Sequence, residues 1–112
     1  MGRPPRIDYP GAWHHVMNRG ADHRTVFFSD RDARLFLSIL EDTAKRYRVE
    51  VHGFALLPNH YHLLLRSLDG KLSPSMARLG SLYTRQLNDE SGRDGPMFRG
   101  SFRNRNIEDG DD

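Results

Sequence analysis

The amino-acid sequence predicts an α+β domain of the ferredoxin-like type, in which two helices cover one face of a four-stranded antiparallel sheet. Two observations predict this fold. Apolar patterns of strand and helix period follow in the order strand, helix, strand, strand, helix, strand, which is the split β-α-β order. The second and third strand patterns are separated by only two residues, as in an antiparallel hairpin. The length of 112 residues predicts a single domain over residues 1–112.

The first half of the chain is expected to supply one strand and one helix. Residues 1–11 contain three prolines and two glycines, and we expect them to form an extended lead-in. Residues 13–18 (WHHVMN) have the composition of a strand. Ser29 is a favoured N-cap residue, and apolar residues recur behind it at helical spacing. A helix is therefore predicted over residues 30–46.

The second half is expected to supply a hairpin, a helix and a last strand. Residues 49–57 and 60–66 predict the two hairpin strands, because the Pro-Asn pair between them favours a turn. A helix is predicted to begin beside Pro74, since proline fits a first helical turn, and to end at Gly92. Residues 97–107 are predicted to form the fourth strand.

The charged residues favour a nucleic-acid partner. The net charge is only +2, but fifteen of the seventeen basic residues are arginine, whose planar donors match phosphate oxygens. A GC-rich genome would explain the same bias through its codons. Residues 108–112 form an acidic end with four acidic side chains.

The composition also excludes several kinds of protein. The chain has no cysteine, which excludes disulfides and thiolate metal sites. It has no apolar run long enough for a signal peptide or a membrane span. We therefore expect a cytoplasmic protein without a membrane partner.

A pair of histidines provides the strongest candidate site. His60 and His62 lie two residues apart on a predicted strand, so both side chains point to one face while Tyr61 points to the other. Two neutral imidazoles placed in this way can bind one divalent cation, which can polarise a phosphate oxygen. Two ordinary histidines explain the spacing about equally well.

Four segments, in order, resemble the single-tyrosine HUH transposases, and among them the REP-associated tyrosine transposases. Residues 57–65 (LPNHYHLLL) resemble the HUH motif, in which a bulky hydrophobic residue separates two histidines. Residues 13–20 (WHHVMNRG) resemble the opening strand of the family, residues 83–88 (YTRQLN) its second-helix signature, and residues 95–103 (GPMFRGSFR) the basic strand that follows. The resemblance covers nearly all of residues 9–112.

The resemblance implies a reaction, a cofactor and a partner. In this family the two histidines hold a divalent metal against the scissile phosphate, which assigns His60 and His62 as ligands of Mg²⁺ or Mn²⁺. A tyrosine then attacks the phosphate, leaving a covalent 5′-phosphotyrosine and a free 3′-OH, and strand transfer reverses the step. The implied partner is single-stranded DNA with a hairpin, and the implied assembly is a homodimer.

The tyrosine that the family uses as its nucleophile is not found in the sequence. The family carries it on a third helix, in a Tyr-Ile-x-Leu-Asn-Pro type of segment, and residues 1–112 contain no such segment. The acidic end resembles the lead-in to that helix, so we expect the domain to be incomplete at its C-terminus and the family nucleophile to lie beyond Asp112. Tyr83 is the best substitute nucleophile, although its position on an apolar helical stripe favours a packing role.

Five residues are candidates for DNA contact: Asn18, Arg19, Arg99, Arg103 and Arg105. Asn18 and Arg19 would either contact DNA at the end of the first strand or simply form a turn. The three later arginines suit phosphate contact, but a solvated strand face explains them equally well. The family commonly has Gln-Gly-Arg where this chain reads Arg-Gly-Ser from Arg99, so one arginine has moved by two positions.

Two alternatives from other functional classes remain. One is a non-catalytic nucleic-acid-binding ferredoxin-like domain, which would need aromatic residues on the open sheet face for base stacking. The other is a metal- or ligand-sensing domain that ignores DNA. His15 is expected either to pack or to support the metal ligands, whereas His14, His23 and His52 receive no functional assignment.

Overall fold

The computed structural model describes residues 7–107, and its elements follow the predicted order. They are β1 (Ala12–Arg19), α1 (Asp30–Tyr47), β2 (Val49–Leu57), β3 (His60–Ser67), α2 (Leu72–Ser91) and β4 (Arg103–Ile107). A short 3-10 helix at Ala21–His23 follows β1. The predicted α+β, ferredoxin-like fold is confirmed.

The four strands form one antiparallel sheet in the order β2-β3-β1-β4, so β1 and β3 lie at its centre. Side chains alternate between its two faces, and on one face Val16, Leu63 and Leu65 are at most 1% exposed. Both helices pack on this face, because their apolar residues belong to the same core cluster. We call the other side the open face. It carries Met17 of β1 and His62 of β3, which lie directly opposite each other.

Local signals set the bounds of α1. Ser29 has an extended backbone, and its side chain accepts a hydrogen bond from the Asp32 N–H, which satisfies one of the free donors of the first turn. Arg48 ends the helix in the left-handed conformation, with φ of 53°. Phe36 and Leu40 are buried in the core. The helix is one residue longer at its C-terminus than predicted.

The second helix also has a defined start and end. The Leu72 N–H donates to the Asp8 carboxylate at 2.9 Å, and the helix ends before Gly92, whose φ is 71°. Glycine adopts this left-handed conformation without steric cost. On the apolar stripe of this helix, the side chains of Leu79 and Tyr83 are completely buried. Within the part of the chain that the structure describes, no helix is both long and apolar enough to cross a membrane.

The predicted fourth strand, residues 97–107, is wrong in its first half. Only its last five residues pair with β1. Met97, Phe98 and Phe102 all bury their side chains, each at most 8% exposed. Neighbouring residues of a strand point to opposite faces, so Met97 and Phe98 reach the same core only if the backbone leaves strand geometry. An isolated bridge between Gly20 and Phe98 is one of the contacts that hold this segment against the end of β1.

The predicted lead-in needs one correction. Residues 1–6 lie outside the described residues. Between Tyr9 and Ala12 the chain turns, and the Ala12 N–H donates to the Tyr9 carbonyl at 2.9 Å. An extended conformation is therefore wrong for this part of the lead-in. The positive φ of Gly11, 88°, explains why glycine occupies the turn.

The acidic end at residues 108–112 also lies outside the described residues. The expected position of the family nucleophile, beyond Asp112, is therefore not tested by the fold. It stays a prediction of the sequence, as does the incomplete C-terminus of the domain.

Candidate metal centre and nucleic-acid interface

His60 and His62 lie side by side on the open face of β3. Both are partly exposed, whereas Tyr61 between them is 2% exposed and points into the core. The two imidazole rings are nearly perpendicular, at 85°, with their centroids 5.1 Å apart. Strand alternation therefore brings both rings to one place, as their spacing predicts.

A third histidine joins the pair from the neighbouring strand. His15 lies on β1, and its Nε2 atom is 2.9 Å from the Nδ1 atom of His62. The two rings are almost parallel, at 11°, with their centroids 5.1 Å apart. This contact places His15 beside the two metal-ligand candidates, where it can support one of them directly.

The surroundings of His62 favour its neutral form. Desolvation lowers the pKa of His62, and the positive charges that His15 and His60 carry when protonated lower that pKa further. A neutral imidazole keeps one nitrogen lone pair for a metal, whereas an imidazolium has none. The environment therefore prepares the His62 ring for metal binding near neutral pH.

Asn59 is a further polar residue at this site. It lies in the turn between β2 and β3, and its Oδ1 atom is 2.8 Å from the Nδ1 atom of His60. The sequence identified Asn59 only as a turn residue, because turn propensity says nothing about where its amide points. The position directly before a candidate ligand was the signal that could have found it.

The donor set at this site fits two of the ligands of a divalent cation. His60 and His62 each present an imidazole on the open face, and imidazole suits most divalent transition metals. Among residues 7–107, no group of three or more His, Cys, Asp or Glu side chains could hold a metal ion. The protein residues described here thus supply an incomplete shell, and Mg²⁺ or Mn²⁺ would take its remaining oxygen ligands from water or phosphate.

Arginines share the open face with the histidines. Arg19 lies opposite His60 in the register of β1 and β3. On β4, Arg105 lies opposite His15, and Arg103 lies two residues earlier; both arginines are exposed. Because directly opposed residues of neighbouring strands share a face, these three arginines lie on the same face as the histidine cluster.

A hollow of about 200 Å³ lies at the end of β1 and collects most of the predicted basic residues. Its walls are formed by Met17, Asn18, Arg19, Arg99, Gly100, Ser101 and Arg103. The Arg99 N–H donates to the Arg19 carbonyl at 2.9 Å, which fixes the backbone of Arg99 against β1. Three arginines line this hollow, and guanidinium groups suit the oxygens of a phosphate.

The side chain of Asn18 is already engaged within the protein. Asn18 Nδ2 donates to the Gly100 carbonyl at 3.0 Å, and its Oδ1 accepts from the Arg19 N–H at 2.9 Å. The amide therefore links β1 to the irregular segment before β4. This arrangement supports the structural alternative for Asn18, while DNA contact by Asn18 stays a prediction.

Tyr83, the substitute nucleophile, lies in the core. Its side chain is completely buried, and its hydroxyl donates to the Val26 carbonyl at 2.5 Å. Burial raises the pKa of Tyr83, and the nearby Asp32 and Glu90 charges raise it further. The ring lies on the helix-covered side of the sheet, away from His62. These features support the packing role and leave the hydroxyl without access to DNA.

The other three tyrosines also lie away from the histidine pair. Tyr61 is buried on the helix side of β3, where burial raises its pKa. Tyr9 precedes β1 and Tyr47 ends α1, so both lie at the far end of the sheet from His60. That separation is roughly 20 Å at about 3.3 Å per strand residue. No tyrosine among residues 7–107 therefore faces the histidine pair.

Solved structures with the same fold include transposases. The chain superposes with a TM-score of 0.78 on a REP-associated tyrosine transposase bound to a REP hairpin, at 13% identity, with 97% of this chain covered. The chain spans 64% of the length of that protein. A putative transposase from Deinococcus radiodurans R1 superposes with a TM-score of 0.64 at 18% identity, covering 96% of this chain and 87% of the other.

Sequence comparison gives the family. No curated protein sequence matches the chain. The family described as IS200-like transposases matches residues 9–103, which include β1, both helices and the histidine pair of β3. Because this match covers most of the sequence, the chain belongs to the IS200-like transposase family.

Proposed function

We propose that this chain is the metal- and DNA-binding part of a transposase that cleaves and transfers single-stranded DNA. The observation that carries the proposal is the composition of the open face. His60 and His62 share it with Arg19, Arg103 and Arg105, so a cation site and a phosphate-binding surface lie together. On the helix-covered face, the strands bury the core residues Val16, Leu63 and Leu65.

Each group on the open face has a role in this proposal. His60 and His62 hold a divalent cation, which when bound supplies electrostatic stabilisation of phosphate charge. Arg19, Arg99 and Arg103 hold an adjacent phosphate in the hollow at the end of β1, and so fix the register of the strand. Guanidinium contacts to phosphate do not select the base, so the surface suits DNA backbone of varied sequence.

The proposed substrate is single-stranded DNA that carries a hairpin. The structural neighbour with a TM-score of 0.78 was solved with a REP hairpin, and the family match supports a DNA substrate. Electrostatic affinity follows from the arginine cluster, because each phosphate contact releases counterions from the DNA. Binding is therefore expected to weaken steeply with added salt.

The proposed reaction needs a tyrosine that this chain does not present. In that reaction a tyrosine oxygen bonds to phosphorus while the P–O3′ bond breaks, leaving a 5′-phosphotyrosine and a free 3′-OH. Tyr61 and Tyr83 are buried, and Tyr9 and Tyr47 lie at the far end of the sheet. We therefore propose that the nucleophile is not one of these four tyrosines.

The second candidate function is a non-catalytic nucleic-acid-binding domain. The positions of the four tyrosines favour it for this chain taken alone, since binding needs no nucleophile. The open face differs from a base-stacking sheet, because it carries arginine beside His60 and His62 and its aromatic Trp13 already contacts Arg66 and His52. A sensor that ignores DNA is supported less well, because it leaves the arginines around the histidine pair without a role.

A gel experiment separates these functions. The chain is incubated with labelled single-stranded hairpin DNA in Mn²⁺ or EDTA and run on native and denaturing gels, beside a His60→Ala/His62→Ala variant and a His52→Ala control. Metal-dependent binding that needs the histidine pair, without a covalent adduct, is the expected result. A covalent adduct would identify a competent tyrosine within the chain. Binding that ignores both metal and the histidine pair would favour the non-catalytic domain.

A further inference from the structure

Both metal-ligand candidates are engaged at the same ring atom. The Nδ1 atom of His60 lies 2.8 Å from Asn59 Oδ1, and the Nδ1 atom of His62 lies 2.9 Å from His15 Nε2. Among the described residues, neither Nε2 atom of the pair takes part in a hydrogen bond. The two rings are therefore held from one side and open on the other.

The contact of His60 fixes where its proton lies. A carboxamide oxygen accepts hydrogen bonds and cannot donate one. With Asn59 Oδ1 as its partner, the His60 Nδ1 atom must be the donor and must carry the proton. In the neutral ring the lone pair then lies on Nε2, the atom that faces away from Asn59.

The contact of His62 has two arrangements, because either ring can donate. If His15 donates from Nε2, the hydrogen bond uses the lone pair on His62 Nδ1, and the Nε2 atom of His62 is protonated. If His62 donates from Nδ1, its Nε2 lone pair stays available. Only the second arrangement lets His60 and His62 offer Nε2 to one cation, and metal-binding histidines commonly donate their other ring N–H to a fixed acceptor.

We propose that Asn59 and His15 are positioning residues that hold His60 and His62 in the Nδ1–H tautomer, so that both Nε2 lone pairs serve one divalent cation. This inference rests on the proposed metal-binding function. It adds two residues that act through the ligands and are not ligands themselves. The acceptors come from different elements, the β2–β3 turn and the central strand β1.

The turn that carries Asn59 is held rigidly enough for this role. The Asn59 carbonyl accepts from the Gly20 N–H at 2.9 Å, and the Pro58 carbonyl accepts from the Val26 N–H at 2.7 Å. These bonds tie the turn to the segment that follows β1. A fixed backbone lets the short Asn59 side chain present its oxygen at one position, which a ligand-positioning group requires.

The experiment measures the tautomers directly in the full chain. Long-range ¹H–¹⁵N NMR at about pH 8, above the reference histidine pKa, distinguishes protonated from unprotonated ring nitrogens. We expect Nδ1–H for both His60 and His62 in the unsubstituted chain. Asn59→Ala should release His60 to mixed tautomers, and His15→Phe, which keeps an aromatic ring, should do the same for His62. Asn59→Asp keeps an oxygen acceptor and should retain the Nδ1–H form of His60.

A second readout is Mn²⁺ affinity, measured by calorimetry on the same variants. Loss of such a supporting hydrogen bond weakens metal binding by roughly 10- to 100-fold, so Asn59→Ala and His15→Phe should each fall in that range. Asn59→Asp should bind Mn²⁺ at least as tightly as the parent chain. His52→Phe, which changes an exposed histidine of β2, should change neither tautomers nor affinity.

The outcomes separate this inference from the proposed function. Unchanged tautomers in both Asn59→Ala and His15→Phe would overturn the positioning roles, whatever the metal affinity. Asn59 has a negative φ, so alanine introduces no backbone strain, and an unchanged melting temperature will show that the variant folds. Tautomers that shift as expected in a chain that does not bind Mn²⁺ would support the positioning contacts while contradicting the proposed metal-binding function.

Discussion

His14 and His15 are neighbours in the sequence but lie on opposite sides of the sheet. His14 is completely buried, and both of its ring nitrogens are paired, with Asp8 Oδ1 at 3.0 Å and Asn104 Nδ2 at 3.1 Å. His15 lies on the open face and contacts His62. Because neighbouring residues of a strand point to opposite faces, His14 links parts of the buried core, whereas His15 lies on a surface that can bind a ligand.

The buried cluster around His14 and the open-face cluster of His15, His60 and His62 differ in how many of their polar atoms have hydrogen-bond partners. The Asp8 carboxylate accepts from Ser67 Oγ, His14 Nε2 and the Leu72 N–H, which joins the lead-in, β1, β3 and the start of α2. Within residues 7–107, the open-face cluster keeps ring nitrogens without a hydrogen-bond partner. The buried cluster around Asp8 and His14 contributes stability because its polar groups are hydrogen-bonded. The open-face histidines keep ring nitrogens that can bind a ligand. Substitutions on the helix-covered face should therefore mainly lower stability, whereas substitutions on the open face should mainly weaken ligand binding.

The largest expected contrast lies between two adjacent residues of β3. Leu63→Ala removes a side chain that is 1% exposed and should lower the free energy of unfolding by about 2–5 kcal/mol, through lost burial and the cavity left behind. His62→Ala should lower it by less than about 1 kcal/mol while removing a proposed metal ligand. Urea denaturation of both variants checks this, and equal losses would contradict the division between the faces.

The same contrast is expected between His14 and His15. His14→Ala leaves the Asp8 carboxylate and the Asn104 amide without their buried partner, which should cost about 1–3 kcal/mol of stability. His15→Ala should cost less than about 1 kcal/mol, because its side chain is only partly buried. Both variants can be compared by thermal and urea unfolding. A greater loss for His15→Ala would show that the open face is also part of the stabilising core.

Tyr83→Phe tests the role of the buried hydroxyl. The change removes the hydrogen bond to the Val26 carbonyl and keeps the ring, so we expect a loss of about 1–2 kcal/mol in stability. Hairpin DNA binding below the melting temperature should not change. A covalent DNA adduct that the parent chain forms and Tyr83→Phe does not would instead assign Tyr83 a catalytic role.

Arg103→Ala tests the basic open face. If Arg103 contacts one phosphate, the slope of log affinity against log salt for single-stranded DNA should become shallower by about 0.7. Arg34→Ala removes an exposed arginine of α1, on the helix-covered side, and should leave the slope unchanged. Equal effects of the two substitutions would mean that DNA affinity depends on the net charge of the protein and not on this surface.

The smallest expected effect concerns the pH dependence of the buried cluster. Burial alone raises the pKa of Asp8, but the hydrogen bonds from Ser67, Leu72 and His14 outweigh it and bring the pKa below its usual 3.8. Asp8 therefore stabilises the fold above about pH 4, and this contribution is lost as the pH falls through the folded-state pKa. Asp8→Asn should flatten the stability curve in acid by less than about 1 kcal/mol, since burial opposes the effect of the hydrogen bonds on the carboxyl pKa. An unchanged curve would contradict this linkage.

Much of the fold could be predicted from the sequence because its signals are local. Ser29 caps α1 and Gly92 ends α2 as propensity predicts. Strand alternation also predicted that His60 and His62 share one face while Tyr61 points to the other. In contrast, Met97 and Phe98 both bury their side chains in the core. This burial requires their segment to leave the strand geometry that its sequence pattern predicts.

The rest of the site depends on contacts between residues that are distant in sequence. The approach of His15 to His62 depends on the pairing of β1 with β3, and the buried bond of Tyr83 depends on how α2 packs against the segment around Val26. Asn59 lies next to His60 in the sequence, but its role depends on a side-chain direction that turn chemistry does not specify. Its position directly before His60 could have marked it as a candidate, but not the direction of its amide.

Mn²⁺ binding by the histidine pair tests the central claim most directly. Calorimetric or EPR titration of the chain should show one Mn²⁺ site. His60→Ala/His62→Ala should abolish it, while the melting temperature without metal stays close to that of the parent chain. The matched His52→Ala variant should bind as the parent does. Equal Mn²⁺ binding by the parent chain and the double variant would contradict the assignment of the open face as the metal site.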